Sequence, residues 1–291
     1  MCISPITIKR QYRRLESEVA KGLNTIADQV PCGKCHECLA TRRNSWTFRL
    51  YHEMTISNSA AFLTLTYEVE PLTPNGHGTL KKSDVQKFLK RLRKRNNSSR
   101  TIRYYCCGEY GSRFKRPHYH LIIFNVNRNI LDNSELLAKD IWKHGQVHVL
   151  PCNTATICYT VGYVMKGAWI PDDEVDINTG LILQDDRVPE FSTMSKNLGL
   201  CYLTENRWDW HVSNMIGTVD MPNGSMISMP RYFKQKVFSK DEREELAAEA
   251  RMIRDIPVDW WTEENTKIYL EAKTDSIRRA QKQELLKRMK L

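Results

Sequence analysis

Arg116-Pro117-His118-Tyr119-His120-Leu121-Ile122-Ile123-Phe124 sets two histidines either side of one bulky residue and runs them into an unbroken apolar stretch. Side chains alternate faces along a β-strand, so His118 and His120 project to one side about 7 Å apart, while Tyr119 and Leu121 point to the other. Two imidazoles so placed suit a single cation, and Tyr119 reads as packing on the opposite face. Upstream lies Tyr105-Cys106-Cys107-Gly108-Glu109-Tyr110-Gly111, a β-like run ending at a glycine. A polar, basic turn from Ser112 to Arg116 separates it from the histidines, and a hairpin there brings Glu109 beside them. One carboxylate with two neutral imidazoles is a mixed oxygen and nitrogen donor set. It fits Mg²⁺ or Mn²⁺ in phosphate chemistry and is also able to hold Zn²⁺.

Tyr159-Thr160-Val161-Gly162-Tyr163-Val164-Met165-Lys166 comes next in importance. Tyrosines at i and i+4 and a lysine at i+7 share one helix face, so both phenols and the ammonium can point into one cleft. Gly162 and the β-branched Thr160, Val161 and Val164 are poor helix formers, so local propensity favours a strand, on which i and i+4 still share a face.

Lys and Arg outnumber Asp and Glu by 44 to 34, a balance that attracts phosphates. Ser239–Leu291 carries equal numbers of acidic and basic residues, so the net charge of +10 resides in Met1–Phe238. It is concentrated in Lys81–Arg95, where Val85, Phe88, Leu89 and Leu92 follow a helical spacing and basic residues cover the other face. The expectation is an amphipathic helix, Ser83–Arg95, with Ser83 as N-cap. Lys87, Lys90, Arg91 and Lys94, together with Arg116 in the turn before His118, are the expected DNA phosphate contacts.

Cys32, Cys35 and Cys38 repeat at a spacing of three and resemble half of a zinc site, but tetrahedral structural zinc needs four ligands. Cys2 and His36 are candidates for the fourth. His36 sits between two of the cysteines, so Cys2 is favoured. Nine cysteines with no signal peptide and no long apolar run argue for a reducing cytoplasm and no membrane. Cys106, Cys107, Cys152, Cys158 and Cys201 read as small core residues of strands.

Strand-like segments fall at 61–67, 102–107, 118–125 and 146–150, with helices at 83–95 and 133–143, the latter capped by Asn133 and stopped by Gly145. The alternation suits parallel βαβ units, but short links around Glu109 favour hairpins. His144 and His148 straddle Gly145 and read as non-ligands. Residues 167–186 read as a surface excursion. Trp208, Trp210, Tyr232 and Phe233 read mainly as packing, and 243–254 and 265–289 as long charged helices.

Together these segments resemble the HUH endonuclease superfamily, and more narrowly the rolling-circle replication initiators of the microviruses, especially those like the gokushoviruses. Three motifs occur in the family's order: Phe62-Leu63-Thr64-Leu65-Thr66-Tyr67, His118-Tyr119-His120, and Tyr159 with Tyr163. Cys32-Gly33-Lys34-Cys35-His36-Glu37-Cys38, Gly108-Glu109-Tyr110-Gly111 and Phe191-Ser192-Thr193-Met194-Ser195-Lys196 look like its segments too. Many relatives carry a lysine between the tyrosines where this chain has Gly162, which leaves Lys166 as the cationic helper.

The resemblance implies an α+β HUH fold, a central antiparallel β-sheet flanked by helices. A Cys-rich N-terminal element would span 1–50, the endonuclease domain with insertions 51–238, and a charged helical region 239–291. It implies Glu109, His118 and His120 as ligands of Mg²⁺ or Mn²⁺, and Tyr159 and Tyr163 as nucleophiles. They would cut single-stranded DNA at a viral origin, leaving a 5′-phosphotyrosine link and a 3′-OH for a host polymerase, with a host helicase as further partner. The setting would be the cytoplasm of a bacterial host. Two other classes account for parts of the pattern. A non-catalytic zinc-dependent DNA-binding protein explains charge and cysteines, and a metal-dependent nuclease using water explains the metal ligands but not the paired tyrosines.

Overall fold

A strand that is apolar on both faces has to be covered on both, and Leu121-Ile122-Ile123-Phe124 is such a run. In the computed structural model, which describes residues 2, 5–11, 25–111, 114–163, 174–175, 182–183, 185–254 and 271, it lies at the centre of a sheet. A hairpin of β1 (Ile6–Gln11) and β2 (Thr25–Val30) precedes the sheet. The sheet comprises β3 (Ala60–Tyr67), β4 (Arg103–Tyr110), β5 (Pro117–Phe124), β6 (Gly145–Pro151) and β9 (Phe191–Met194). Two-residue strands β7 (Glu174–Val175) and β8 (Ile182–Leu183) pair separately. The order is β6-β3-β5-β4-β9 and every pairing within it is antiparallel. The architecture is therefore α+β with an antiparallel sheet, and the hairpin reading prevails over parallel βαβ units.

The two faces of the sheet carry different helices. On the face of Tyr119, Leu121 and Ile123 lie α2 (Lys82–Arg95), contributing Val85, Phe88, Leu89 and Leu92, and a π-helical segment (Leu136–Trp142), contributing Leu137, Ile141 and Trp142. All seven of these helical side chains are buried, so the apolar spacing read in α2 is its packing face. Burying each large apolar side chain stabilises by roughly 1.5–3 kcal/mol. On the face of Ile122 and Phe124 lie α1 (His36–Ile56), contributing Leu50, and α4 (Thr154–Gly162), contributing Ile157 and Val161. A single turn, α3 (Arg128–Leu131), follows β5.

Several local expectations are corrected by tertiary context. The segment around Tyr159 is a helix, not a strand: Asn153 Oδ1 accepts from Thr156 N and Thr156 Oγ1 accepts from Asn153 N, both at 2.9 Å, a capping box that nucleates α4. Burial of Ile157, Thr160 and Val161 then outweighs the β-branched propensities. Ser83 is not the N-cap of α2, because the helix already starts at Lys82, and its hydroxyl turns to Asp84 Oδ1 at 3.4 Å. Asn133 does cap the next segment, its Oδ1 accepting from Leu136 N at 2.9 Å. That segment ends at Lys143 in the left-handed conformation (φ 69°), with Lys143 N donating to Ala138 O, and Gly145 opens β6 instead. Cys106 and Cys107 are buried in β4, whereas Cys152 follows β6, Cys158 is exposed on α4 and Cys201 lies in a 3₁₀ turn.

The chain forms two compact units, one of residues 1–204 and 220–227, the other of 205–219 and 228–291. The sheet and everything packed on it belong to the first, and residue 50 falls inside α1. The second holds α5 (Glu205–Ser213), which bears Trp208 and Trp210, α6 (Arg231–Val237) with buried Phe233, and α7 (Lys240–Arg254). The helix expected at 265–289 and most of the excursion at 167–186 lie outside the described residues. No helix among the described residues is long and apolar enough to cross a membrane.

Tyr119 is fully buried, with its hydroxyl 2.9 Å from Tyr67 Oη and accepting from Lys81 N at 2.7 Å. Tyr119→Phe should therefore cost about 1–3 kcal/mol, the penalty for stranding buried polar partners. Urea unfolding of the two proteins measures it.

Candidate metal and nucleophile site

Antiparallel pairing of β4 with β5 sets Glu109 directly opposite His118 and Cys107 opposite His120. On the other side of β5, Thr64 of β3 pairs with His120 and Thr66 with His118. Glu109 Oε1 lies 2.8 Å from His118 Nε2 and 3.0 Å from His120 Nε2. Glu109 and His120 are buried and His118 is partly exposed, so the cluster opens at its His118 side. Donors bound at 2.0–2.1 Å and at right angles to one cation lie about 3 Å apart, so the two carboxylate–imidazole separations are those of ligands to one metal ion, and the three residues together could hold one. Thr64 Oγ1 shares a 3.1 Å hydrogen bond with His120 Nδ1. With the ring proton on that bond, Nε2 presents its lone pair to the cluster, the usual second-sphere arrangement of a ligating histidine. Thr64 escaped the sequence reading, although its alternation with Leu63 and Leu65 already put it on one face with Phe62.

The glycines around Glu109 follow from close packing. A Cβ at Gly111 would meet His118 Cε1 at 3.2 Å, and one at Gly108 would press at 3.2 Å on Leu80, Phe191 and Tyr119.

Tyr159 and Tyr163, at the end of α4, are brought to this cluster. The Tyr163 ring stacks on His120 with centroids 4.9 Å apart and planes at 1°. Tyr159 meets His120 edge-on at 5.5 Å, and the two phenol rings are 5.2 Å apart. Tyr159 is 47% exposed and Tyr163 less so. Burial, and next the Glu109 carboxylate, hold the Tyr163 phenol well above its ordinary pKa. A cation at the cluster would oppose the carboxylate's contribution. Lys166 lies outside the described residues.

Of the expected DNA contacts, those on α2 lie away from this cluster. Lys87, Lys90 and Lys94 are exposed on α2, which covers the opposite face of the sheet. Arg91 on the same helix donates from Nε to Ile141 O at 2.5 Å and from Nη2 to Trp142 O at 2.9 Å, satisfying the carbonyls that end the π-helical segment. Arg116 Nη2 donates to Tyr67 O at 2.7 Å. His144 packs against Tyr67 and Trp142, and His148 on β6 pairs with Thr64; neither joins the cluster.

A second group forms at the start of α1. The Sγ atoms of Cys2, Cys32, Cys35 and Cys38 all lie within 4.8 Å of one another, with Cys35 to Cys2 at 3.8 Å. Four sulfurs at 2.3 Å from one tetrahedral ion are about 3.8 Å apart, so the group could hold a metal ion, with Cys2 rather than His36 as fourth member. Backbone N–H groups of Cys32 and Cys35 donate to Cys2 Sγ (3.2 Å) and Cys32 Sγ (3.3 Å). N–H groups of Cys35 and Lys34 lower the Cys32 pKa, while burial pushes the Cys38 thiol up to about 12.

Residues 60–168 match the family of Replication-associated protein ORF2, a span that begins with β3 and contains both the Glu–His–His cluster and the tyrosines. The chain is 26% identical over 288 residues to Replication-associated protein VP4 of Bdellovibrio phage phiMH2K, covering 92% of this chain and 80% of that protein. It is 27% identical over 258 residues to Replication-associated protein ORF2 of Spiroplasma virus 4, covering 79% and 78%. Against Replication-associated protein ORF4 of Chlamydia phage 1 it is 27% identical over 233 residues, covering 73% of this chain and 55% of that one. No solved structure matches. The resemblance to replication initiators of the microvirus kind is thereby borne out.

Removing the Thr64 hydroxyl should weaken the hold on His120. Thr64→Val is expected to lower Mn²⁺ affinity about 10- to 100-fold, the usual effect of losing a second-sphere partner. His148→Ala, on the same sheet face, should leave it unchanged. Calorimetric Mn²⁺ titration of both variants checks this.

Proposed function

We propose that this chain is a replication initiator that nicks single-stranded DNA at a viral origin by tyrosine attack and later rejoins the ends. The observation that carries the reading is the contact of both phenol rings with His120, a member of the Glu109–His118–His120 donor set. Paired tyrosines against a metal-type cluster have a purpose in a covalent relay and none in simple metal-dependent hydrolysis.

In the proposed reaction one phenol loses its proton and its oxygen forms a bond to the scissile phosphorus. The bond from phosphorus to the 3′ oxygen breaks, and that oxygen takes up a proton to leave a 3′-OH. The DNA 5′ phosphate stays on the tyrosine. Glu109, His118 and His120 would hold Mg²⁺ or Mn²⁺, which when bound neutralises charge on the phosphate. Thr64 fixes the His120 tautomer. The second tyrosine lets the same site cut a regenerated junction while the first end is resealed. Lys166 would favour phenolate. The 3′-OH would serve a host polymerase, with a host helicase opening the duplex, in the cytoplasm of a bacterial host.

Zn²⁺ at Cys2, Cys32, Cys35 and Cys38 would be structural, clamping the N-terminal segment to the first turn of α1. Lys87, Lys90, Lys94 and Arg91 on α2, with Arg116, would add sequence-independent, salt-sensitive attraction for DNA. Because α2 covers the far face of the sheet, its lysines would hold strand or duplex away from the scissile phosphate.

Tyr159→Phe combined with Tyr163→Phe should abolish covalent protein–DNA adducts in Mn²⁺ or Mg²⁺, read on a denaturing gel with labelled single-stranded DNA. Undiminished cleavage by that double variant would favour a water-using nuclease. His118→Ala should lose metal-dependent cleavage yet keep most salt-sensitive DNA binding. No cleavage by the wild-type protein, with binding intact, would favour a non-catalytic DNA-binding role.

A further inference from the structure

Beside the tyrosines the same sheet face holds a cavity of about 250 Å³ lined, among the described residues, by Arg42, Cys107, Tyr163, Glu190, Phe191 and Ser192. Its place follows from the register. Cys107 is the cross-strand neighbour of His120, and Ser192 is the cross-strand neighbour of Cys107. Ser192 is thus two strands along from His120, about 10 Å away. That distance suits a nucleotide next to the reacting phosphate rather than the phosphate itself. The volume falls below the range of pockets for drug-sized ligands, which limits an occupant to about one nucleotide.

The lining has the chemistry of such an occupant. Arg42 is an exposed cation on α1, one turn before Trp46, whose ring packs on Tyr105 at 4.9 Å. Tyr163 supplies aromatic surface, on which unpaired bases stack regardless of sequence, whereas the Phe191 ring packs toward Tyr119 on the other face of the sheet. Tyr105 is fully buried and stands behind the cavity wall rather than in it. Its polar surroundings include Cys107, Ser192 and Arg42, two of which hold one wall of the cavity and the third its cation. The Tyr105 hydroxyl is placed to steady Ser192, which does face the cavity.

We propose that this cavity binds one unpaired nucleotide of the strand being cut, adjacent to the scissile phosphate. Its base lies against Tyr163, the Ser192 hydroxyl backed by Tyr105 reads the base edge, and Arg42 pairs with its phosphate. The inference rests on the nicking reading above and adds where base preference arises.

The test is nicking of a randomised pool of single-stranded oligonucleotides with Mn²⁺, followed by sequencing of the junctions. The wild-type protein should show base preference at one position flanking the nick. Tyr105→Phe combined with Ser192→Ala should flatten that position and leave the others. Arg42→Ala should raise KM for a preferred oligonucleotide roughly ten- to a hundredfold with kcat little changed, as expected for loss of a charged hydrogen bond. Arg42→Lys should recover most of the loss. Tyr105→Phe removes a single oxygen, and thermal unfolding of each variant verifies its fold. Full retention of the preference by the double variant would overturn the base site, and an unchanged KM in Arg42→Ala would overturn the phosphate contact. If the wild-type protein nicks nothing in the pool, the nicking reading itself fails.

Discussion

The register between β4 and β5 is the constraint on which the rest of this molecule depends. Pairing Glu109 with His118 puts one carboxylate oxygen within 3.0 Å of two imidazole nitrogens. A slip by one residue would turn Glu109 to the opposite face and bury its charge against Leu80 and Tyr119. Several features hold the register. The connecting turn is closed by Gly111 N donating to Arg116 O at 3.0 Å, with Lys115 in a left-handed conformation. A side chain at Gly108 or Gly111 would press on its neighbours at 3.2 Å. The apolar faces of β5 are claimed separately by α2 with the π-helical segment and by α1 with α4, so neither face can accept the other's side chains.

From that register the division of labour between the two faces follows. The face of Tyr119 is a core, and its polar atoms are spent on structure: Tyr67 joins Tyr119 and Asp84, and Arg91 closes the carbonyls of Ile141 and Trp142. The face of His118 and His120 is covered by α4, whose last turn delivers aromatic rings onto the cluster. A helix is a good carrier for this purpose, because packing of Ile157 and Val161 fixes its axis and leaves Tyr159 and Tyr163 on the neighbouring stripe. The cysteine group stands at the start of α1, which lies on that same face.

Much of this was legible in the sequence. The alternation in Pro117–Phe124 and the apolar spacing in Lys82–Arg95 report burial, the strongest signal that a sequence carries, and both gave the right element and the right face. The hairpin reading around Glu109 was also recoverable, since the link is too short for anything else. Other features depended on partners distant in the chain. Asn153 and Thr156 cap each other and make a helix where Thr160, Val161 and Gly162 suggest a strand. The basic stripe of α2 gives no hint of which sheet face it would cover, and Arg91 is indistinguishable by composition from its neighbours until Ile141 and Trp142 are beside it. Arg42, Tyr105 and Ser192 come from α1, β4 and β9, and only the pairing of β9 with β4 assembles them.

If the Glu–His–His cluster and the tyrosines of α4 act as one reaction centre, the covalent product will show it. Mass spectrometry of the covalent product most directly tests it: the protein is incubated with Mn²⁺ and single-stranded DNA, digested with trypsin and nuclease, and searched for nucleotide-modified peptides. A nucleotide joined through its phosphate to Tyr159 or Tyr163 is expected, absent when His120 is replaced by alanine. A modification on another residue, or one that persists in His120→Ala, would contradict it.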